Sequence, residues 1–134
     1  MVLLVGTVCA DVHVTRAWSR ETPPGTPVGA AYFSLRNETS VTIVLVGADT
    51  AVAERAEFHE TMMHDGLMTM HHHEEFVLEP GAMLEFVPGG NHVMLMGLGA
   101  RLEHGQVFAL SLRFGDGSSI DVAVDVKRVD YLPD

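Results

Sequence analysis

Turn-forming residues interrupt this chain roughly every 8–12 residues, a rhythm that belongs to all-β folds. Asp65-Gly66 and Asp116-Gly117 suit type I′ hairpins, which require positive φ at both central positions. Pro88-Gly89-Gly90 places Pro and Gly where a type II turn wants them, and Pro80-Gly81 and Asn37 to Ser40 are further turn formers. Glu21 to Pro27 holds three prolines and reads as a rigid loop. Between these breaks, Asp11 to Trp18 alternates with Val12 and Val14 on one side, as a half-buried strand does. Strands are likewise expected at Val28 to Arg36, Val41 to Gly47, Met83 to Val87, His92 to Met96, Gln106 to Phe114 and Ser119 to Val126. Ala51 to Phe58 would also suit a helix turn, but its continuation through His59 to Met63 favours a strand. Phe76 to Leu78 is expected to close the hairpin about Asp65-Gly66. The sum is about eight or nine short strands in a sandwich or barrel, with a jelly roll and an open meander fitting the pattern equally well.

A chain of 134 residues with 47% hydrophobic side chains builds one core and therefore one domain, expected over 11–134. Residues 1–10 are apolar and lack the basic residues of an export-signal n-region, so they read as an extension, a signal remnant or a first strand. Gly6-Thr7-Val8-Cys9 is a poor match to a lipoprotein site. The formal charge of −10 repels phosphate, which argues against nucleic acid and anionic membrane surfaces as partners. No stretch approaches the roughly 20 apolar residues of a membrane span. Cys9 is the single cysteine, so neither an internal disulfide nor a thiolate zinc site can form.

The unusual chemistry is concentrated between Glu57 and Leu98, where six of the eight histidines and seven of the eight methionines fall. Imidazole and thioether together suit copper(I), whereas zinc prefers thiolate and imidazole and hard cations prefer oxygen. A two-residue loop at Asp65-Gly66 sets Thr61 opposite Met70 and His59 opposite His72, making His59 and Met70 diagonal neighbours. A change of one residue in that loop would send Met70 to the other face. His92 and Met94, two apart on a strand, point the same way at the rim of the fold, and Met96 continues that face as a reserve ligand or as packing. Alternation separates His72 from His71 and His73, a tract that reads as solvated or as an auxiliary, Cu(II)-preferring site. Met62 and Met83 read as core, and His13, His64 and His104 as surface.

The spacing of these residues resembles that of the periplasmic copper chaperones of the PCuAC family. Ten residues separate His59 from Met70, twenty-one separate Met70 from His92, and His92-Val93-Met94 completes the pattern. The likeness runs from about Val12 to Val126 and includes Ala17-Trp18, Pro23-Pro24-Gly25, Ala30-Ala31-Tyr32, Pro88-Gly89-Gly90 and Gly97-Leu98. This resemblance implies a cupredoxin-like Greek-key β-barrel without enzymatic activity. It implies Cu(I) held by His59, Met70, His92 and Met94, and an exported, periplasmic or extracellular monomer. The partner implied is a copper-acceptor protein, either cytochrome c oxidase subunit II or another copper chaperone. The triplet His71 to His73 is not part of the shared pattern.

Two other readings compete. A small β-barrel metalloenzyme would use His59, His72 and His92 around a metal with Glu60 as base, although alternation turns Glu60 away from His59. An interaction domain would use the methionines and histidines for packing alone.

Overall fold

A computed structural model describes residues 11–133. The expectations for Met1 to Ala10, including Cys9, fall outside the described residues. Among the described residues, ten strands form with no helix between them: β1 (Val12–Arg20), β2 (Val28–Asn37), β3 (Ile43–Thr50), β4 (Ala53–His64), β5 (Leu67–His73), β6 (Phe76–Leu78), β7 (Met83–Phe86), β8 (Asn91–Leu98), β9 (Val107–Phe114) and β10 (Ser119–Lys127). The count exceeds the expected eight or nine because Phe76–Leu78 is a short strand of its own, separate from β5, while β7 falls where a strand was expected.

Seven strands close a barrel in the order β4-β8-β2-β1-β10-β9-β3, and Ala48 opposite Ala56 joins β3 back to β4. β5, β6 and β7 extend the sheet from β4, β3 and β2. Among the described strands, β1 and β10 alone run parallel; the non-sequential neighbours, such as β4 beside β8, are the crossovers of a cupredoxin-like Greek key. Closure removes the sheet edges that an open meander would leave exposed.

Alternation sorts the strands as a one-sided core requires. Leu110, Leu112 and Phe108 of β9 and Val122, Val124 and Val126 of β10 point inward, as do Phe33 and Leu35 of β2. Phe33 stacks on Phe86 with ring centroids 4.5 Å apart, and Phe58 and Phe76 pack edge-on beside them at 5.6 Å. This cluster corrects the expectation for Phe76 to Leu78. That segment pairs with β3 (Ile43 opposite Leu78) and takes no part in the β4–β5 hairpin, because Phe76 buries itself against Phe58 and Phe86 by crossing over. β1 departs from regular alternation at a bulge between Thr15 and Trp18, where Arg16 sits at φ 59°. The bulge sets Trp18 against Tyr32 and Tyr131 at 4.7 and 4.9 Å. Among the described residues, no helix is long and apolar enough to cross a membrane.

Candidate metal centre

Three strands carry the predicted residues. The Asp65-Gly66 turn has φ of 51° and 80°, as a type I′ loop demands. It locks the β4–β5 register expected from sequence, with His59 opposite His72, Thr61 opposite Met70 and His64 opposite Leu67. On the other side of β4, His59 lies opposite His92 and Glu57 opposite Met94. Phe58 and Val93, the paired residues between them, are buried in the core. Alternation therefore puts Glu57, His59, His92 and Met94 on the outer wall of the barrel, close to the end where β8 begins. The imidazole of His59 is 5.3 Å from that of His72 and 6.0 Å from that of His92, centroid to centroid. Met70, His92 and Met94 line one cavity of about 330 Å³, bordered by Ala30, Tyr32 and the Pro88-Gly89 turn.

Hydrogen bonds orient both rings. His92 is only 6% exposed, and its Nδ1 lies 3.3 Å from the Gly90 carbonyl, to which it can only donate. That tautomer leaves Nε2 as the free lone pair. His59 is held the other way round: Nε2 donates to Glu57 Oε1 at 3.0 Å, while Nδ1 is buried without a hydrogen-bond partner. A buried nitrogen lone pair without a partner is costly in a finished protein and useful in a ligand site. A carboxylate behind an imidazole also raises its basicity toward a metal. The hydrogen bond from His59 holds the Glu57 carboxyl below its ordinary range against the smaller opposing effect of desolvation. Glu57 escaped the sequence reading. Its signal was there, two residues before His59 and hence on the same strand face, but a lone acidic residue at that spacing is common.

Burial pushes the His92 imidazole below its ordinary 6.5, with the Gly90 bond opposing and the nearby His59 adding to the shift. Folding thus favours neutral His92. A group whose pKa falls on folding contributes stability that is complete above its unfolded value and fades as pH drops toward its folded value. The urea midpoint of the metal-free protein is expected to fall between about pH 7 and about pH 5. The fall should be smaller in His92→Gln; an equal fall in both proteins would assign the loss to other groups.

The remaining candidates separate cleanly. The pleat splits the triplet: His72 faces His59, while His71 and His73 lie on the other side with rings 4.8 Å apart. His73 Nε2 is 2.8 Å from Glu60 Oε1, so Glu60 is engaged on the face opposite His59 and does not serve it as a base. Met96 is a poor reserve ligand, since its sulfur accepts from Arg55 Nη2 at 3.6 Å and a cation there disfavours another. Met62 and Met83 are 44% and 45% exposed, which corrects their reading as core. His13, His64 and His104 are exposed as expected. Among the described residues, no three His, Cys, Asp or Glu side chains converge to hold a metal ion.

Residues 12–126 match the LpqE-like lipoprotein family. The chain belongs to that family. A relative in Leifsonia xyli subsp. xyli, itself named as a lipoprotein, is 41% identical over 123 residues, which is 91% of this chain and 73% of the relative. Among solved structures, this LpqE-like chain superposes on the copper-bound PCuAC domain from PmoF2 with a TM-score of 0.74, covering 88% of this chain and 93% of that one. At 19% identity that likeness shows the fold, a PCuAC-type cupredoxin-like barrel. Apo-DR1885 from Deinococcus radiodurans is 30% identical with a TM-score of 0.69, over 97% of this chain and 87% of that one. The CuI-DR1885 structure is 32% identical with a TM-score of 0.65, over 85% and 76%.

Proposed function

We propose that this LpqE-like protein is a copper chaperone that carries one Cu(I) on His59, Met70, His92 and Met94. The observation that carries the reading is the unpartnered, buried Nδ1 of His59, on the strand position opposite His92, whose own side chain lines one cavity with Met70 and Met94. Two imidazoles and two thioethers form a neutral set that a soft monovalent ion accepts without thiolate. Glu57 and the Gly90 carbonyl hold the two rings so that each offers one nitrogen, and His92 is neutral near pH 7. The copper-bound PmoF2 domain and CuI-DR1885, which share the fold, support the choice of metal.

The site lies on the outer wall, open beside the exposed Met70. That position suits a carrier, since an acceptor offering stronger donors can approach the ion and replace its ligands one at a time. The acceptor we propose is the copper site of cytochrome c oxidase subunit II or another copper chaperone, in the periplasm or outside the cell. The lipoprotein names of the family and of the Leifsonia relative support export. An auxiliary Cu(II) site would draw on His71 and His73, whose rings lie 4.8 Å apart on the opposite face, and the transport role is proposed for Cu(I) alone. X-ray absorption of the Cu(I)-loaded protein tests the donor set: mixed nitrogen and sulfur scattering is expected, and nitrogen alone would remove the methionines.

A further inference from the structure

The β4–β5 hairpin carries thioethers that the barrel does not need. Thr61 is the last residue of β4 tied to the neighbouring turn, its N–H donating to the Gly90 carbonyl at 3.0 Å. Beyond it, among the described residues, β4 pairs with β5 alone, and the two strands form a projecting arm. Among the described residues, four of the five exposed methionines, Met62, Met63, Met68 and Met70, stand on this arm. Met63 and Met68 are 69% and 68% exposed, so burial gives them almost nothing. Nor does Met favour a strand as β-branched or aromatic residues do. Packing and propensity therefore do not account for them.

Their placement points to a ligand role. Met63 lies directly opposite Met68, and the next rungs inward on the same face are Thr61 with Met70, then His59 with His72. His92 follows across β8. The arm thus presents soft donors in a row that leads from its tip to the inner site. Rungs two residues apart are separated by about 6.6–6.8 Å. Directly opposite Cβ atoms lie about 4.5–5.5 Å apart, and unbranched thioether stems are flexible enough to converge on one ion.

We propose that Met63 and Met68 form an outer Cu(I) site from which the ion passes through Met70 to the inner set. The proposal rests on the inner-site reading above for its destination. Two neutral donors in water hold copper more weakly than four, so the outer site fills second and exchanges quickly. The ion remains Cu(I) throughout: a Cu–S bond to Met70 forms as one to Met63 or Met68 breaks. No electron moves, and thioethers have no proton to lose.

The test compares the full chain with its Met63→Leu/Met68→Leu variant, using Cu(I) delivered from a chelator complex under anaerobic conditions. Leucine keeps the tip apolar, and unchanged thermal unfolding of the metal-free variant checks the fold. The wild type is expected to take a second, weaker equivalent that the variant lacks, the first equivalent binding alike in both. Filling of the inner site should be several-fold slower in the variant. Equal stoichiometry and equal filling rates would overturn the proposal. So would a defect that appears only when an acceptor protein is added, which would make the tip a docking surface. Met70→Leu separates the two readings: loss of the strong equivalent tests the inner site, whatever the tip variant does.

Discussion

Met94→Leu is expected to lower Cu(I) affinity by at least about 100-fold while leaving the barrel folded. Changing a residue that merely supports a metal ligand typically costs 10–100-fold, and removing a ligand itself should cost no less. Leucine is close to methionine in volume and usually costs under about 1.5 kcal/mol in a packed site. Met94 is only half-buried, opposite Glu57 on β4 and Ala30 on β2, so the fold has little reason to change. Met70→Leu should behave alike, its side chain being 55% exposed. Competition against a Cu(I) chelator measures both. The same loss must appear in thermal unfolding, because a ligand bound only by the native state stabilises it by about 4 kcal/mol at a thousand times its Kd. Wild-type affinity in both variants would sink the donor assignment.

Asn37→Ala is expected to destabilise the protein by about 3–4 kcal/mol, with copper chemistry untouched. Asn37 is fully buried at the end of β2. Its Nδ2 donates to the carbonyls of Val41 and Leu78 at 2.9 and 3.0 Å, and its Oδ1 accepts from the N–H and hydroxyl of Thr39 at 2.9 and 2.7 Å. Alanine would leave several of these partners unsatisfied, each at a cost of about 1–3 kcal/mol where water cannot reach. The bond to Leu78 also anchors β6 beside the end of β2, so the loss reaches the Phe76 packing. Urea unfolding of the metal-free protein measures the effect. A change below about 1 kcal/mol would show that water replaces the side chain at no great cost.

Much of the hairpin side of the site was legible because its interactions are local. Asp65-Gly66 demands a two-residue loop, the loop sets the register, and the register puts Met70 diagonal to His59 and splits the histidine triplet. What local rules could not reach were the contacts between distant segments. Nothing in the spacing alone sets His59 opposite His92, since β4 and β8 meet only because the barrel closes with β8 between β4 and β2. The wrong pairing of Phe76 to Leu78 has the same origin: a three-residue strand has no pattern of its own, and aromatic packing against Phe58 and Phe86 chose its partner. Met62 and Met83 were misread because methionine is a common gap-filler in cores, and which face of its strand is covered depends on the tertiary packing.

By itself, then, the sequence determined an all-β chain and the intervals of a candidate His/Met set, because turns and two-residue alternation are written in neighbouring residues. The resemblance those intervals carry named the barrel before any coordinate did. Tertiary structure alone decided that the candidate residues stand on the outer wall, that Glu57 turns the His59 ring, and that Nδ1 of His59 is left buried and unpartnered. Those features depend on which strands lie side by side, and in a closed barrel that choice belongs to the whole core.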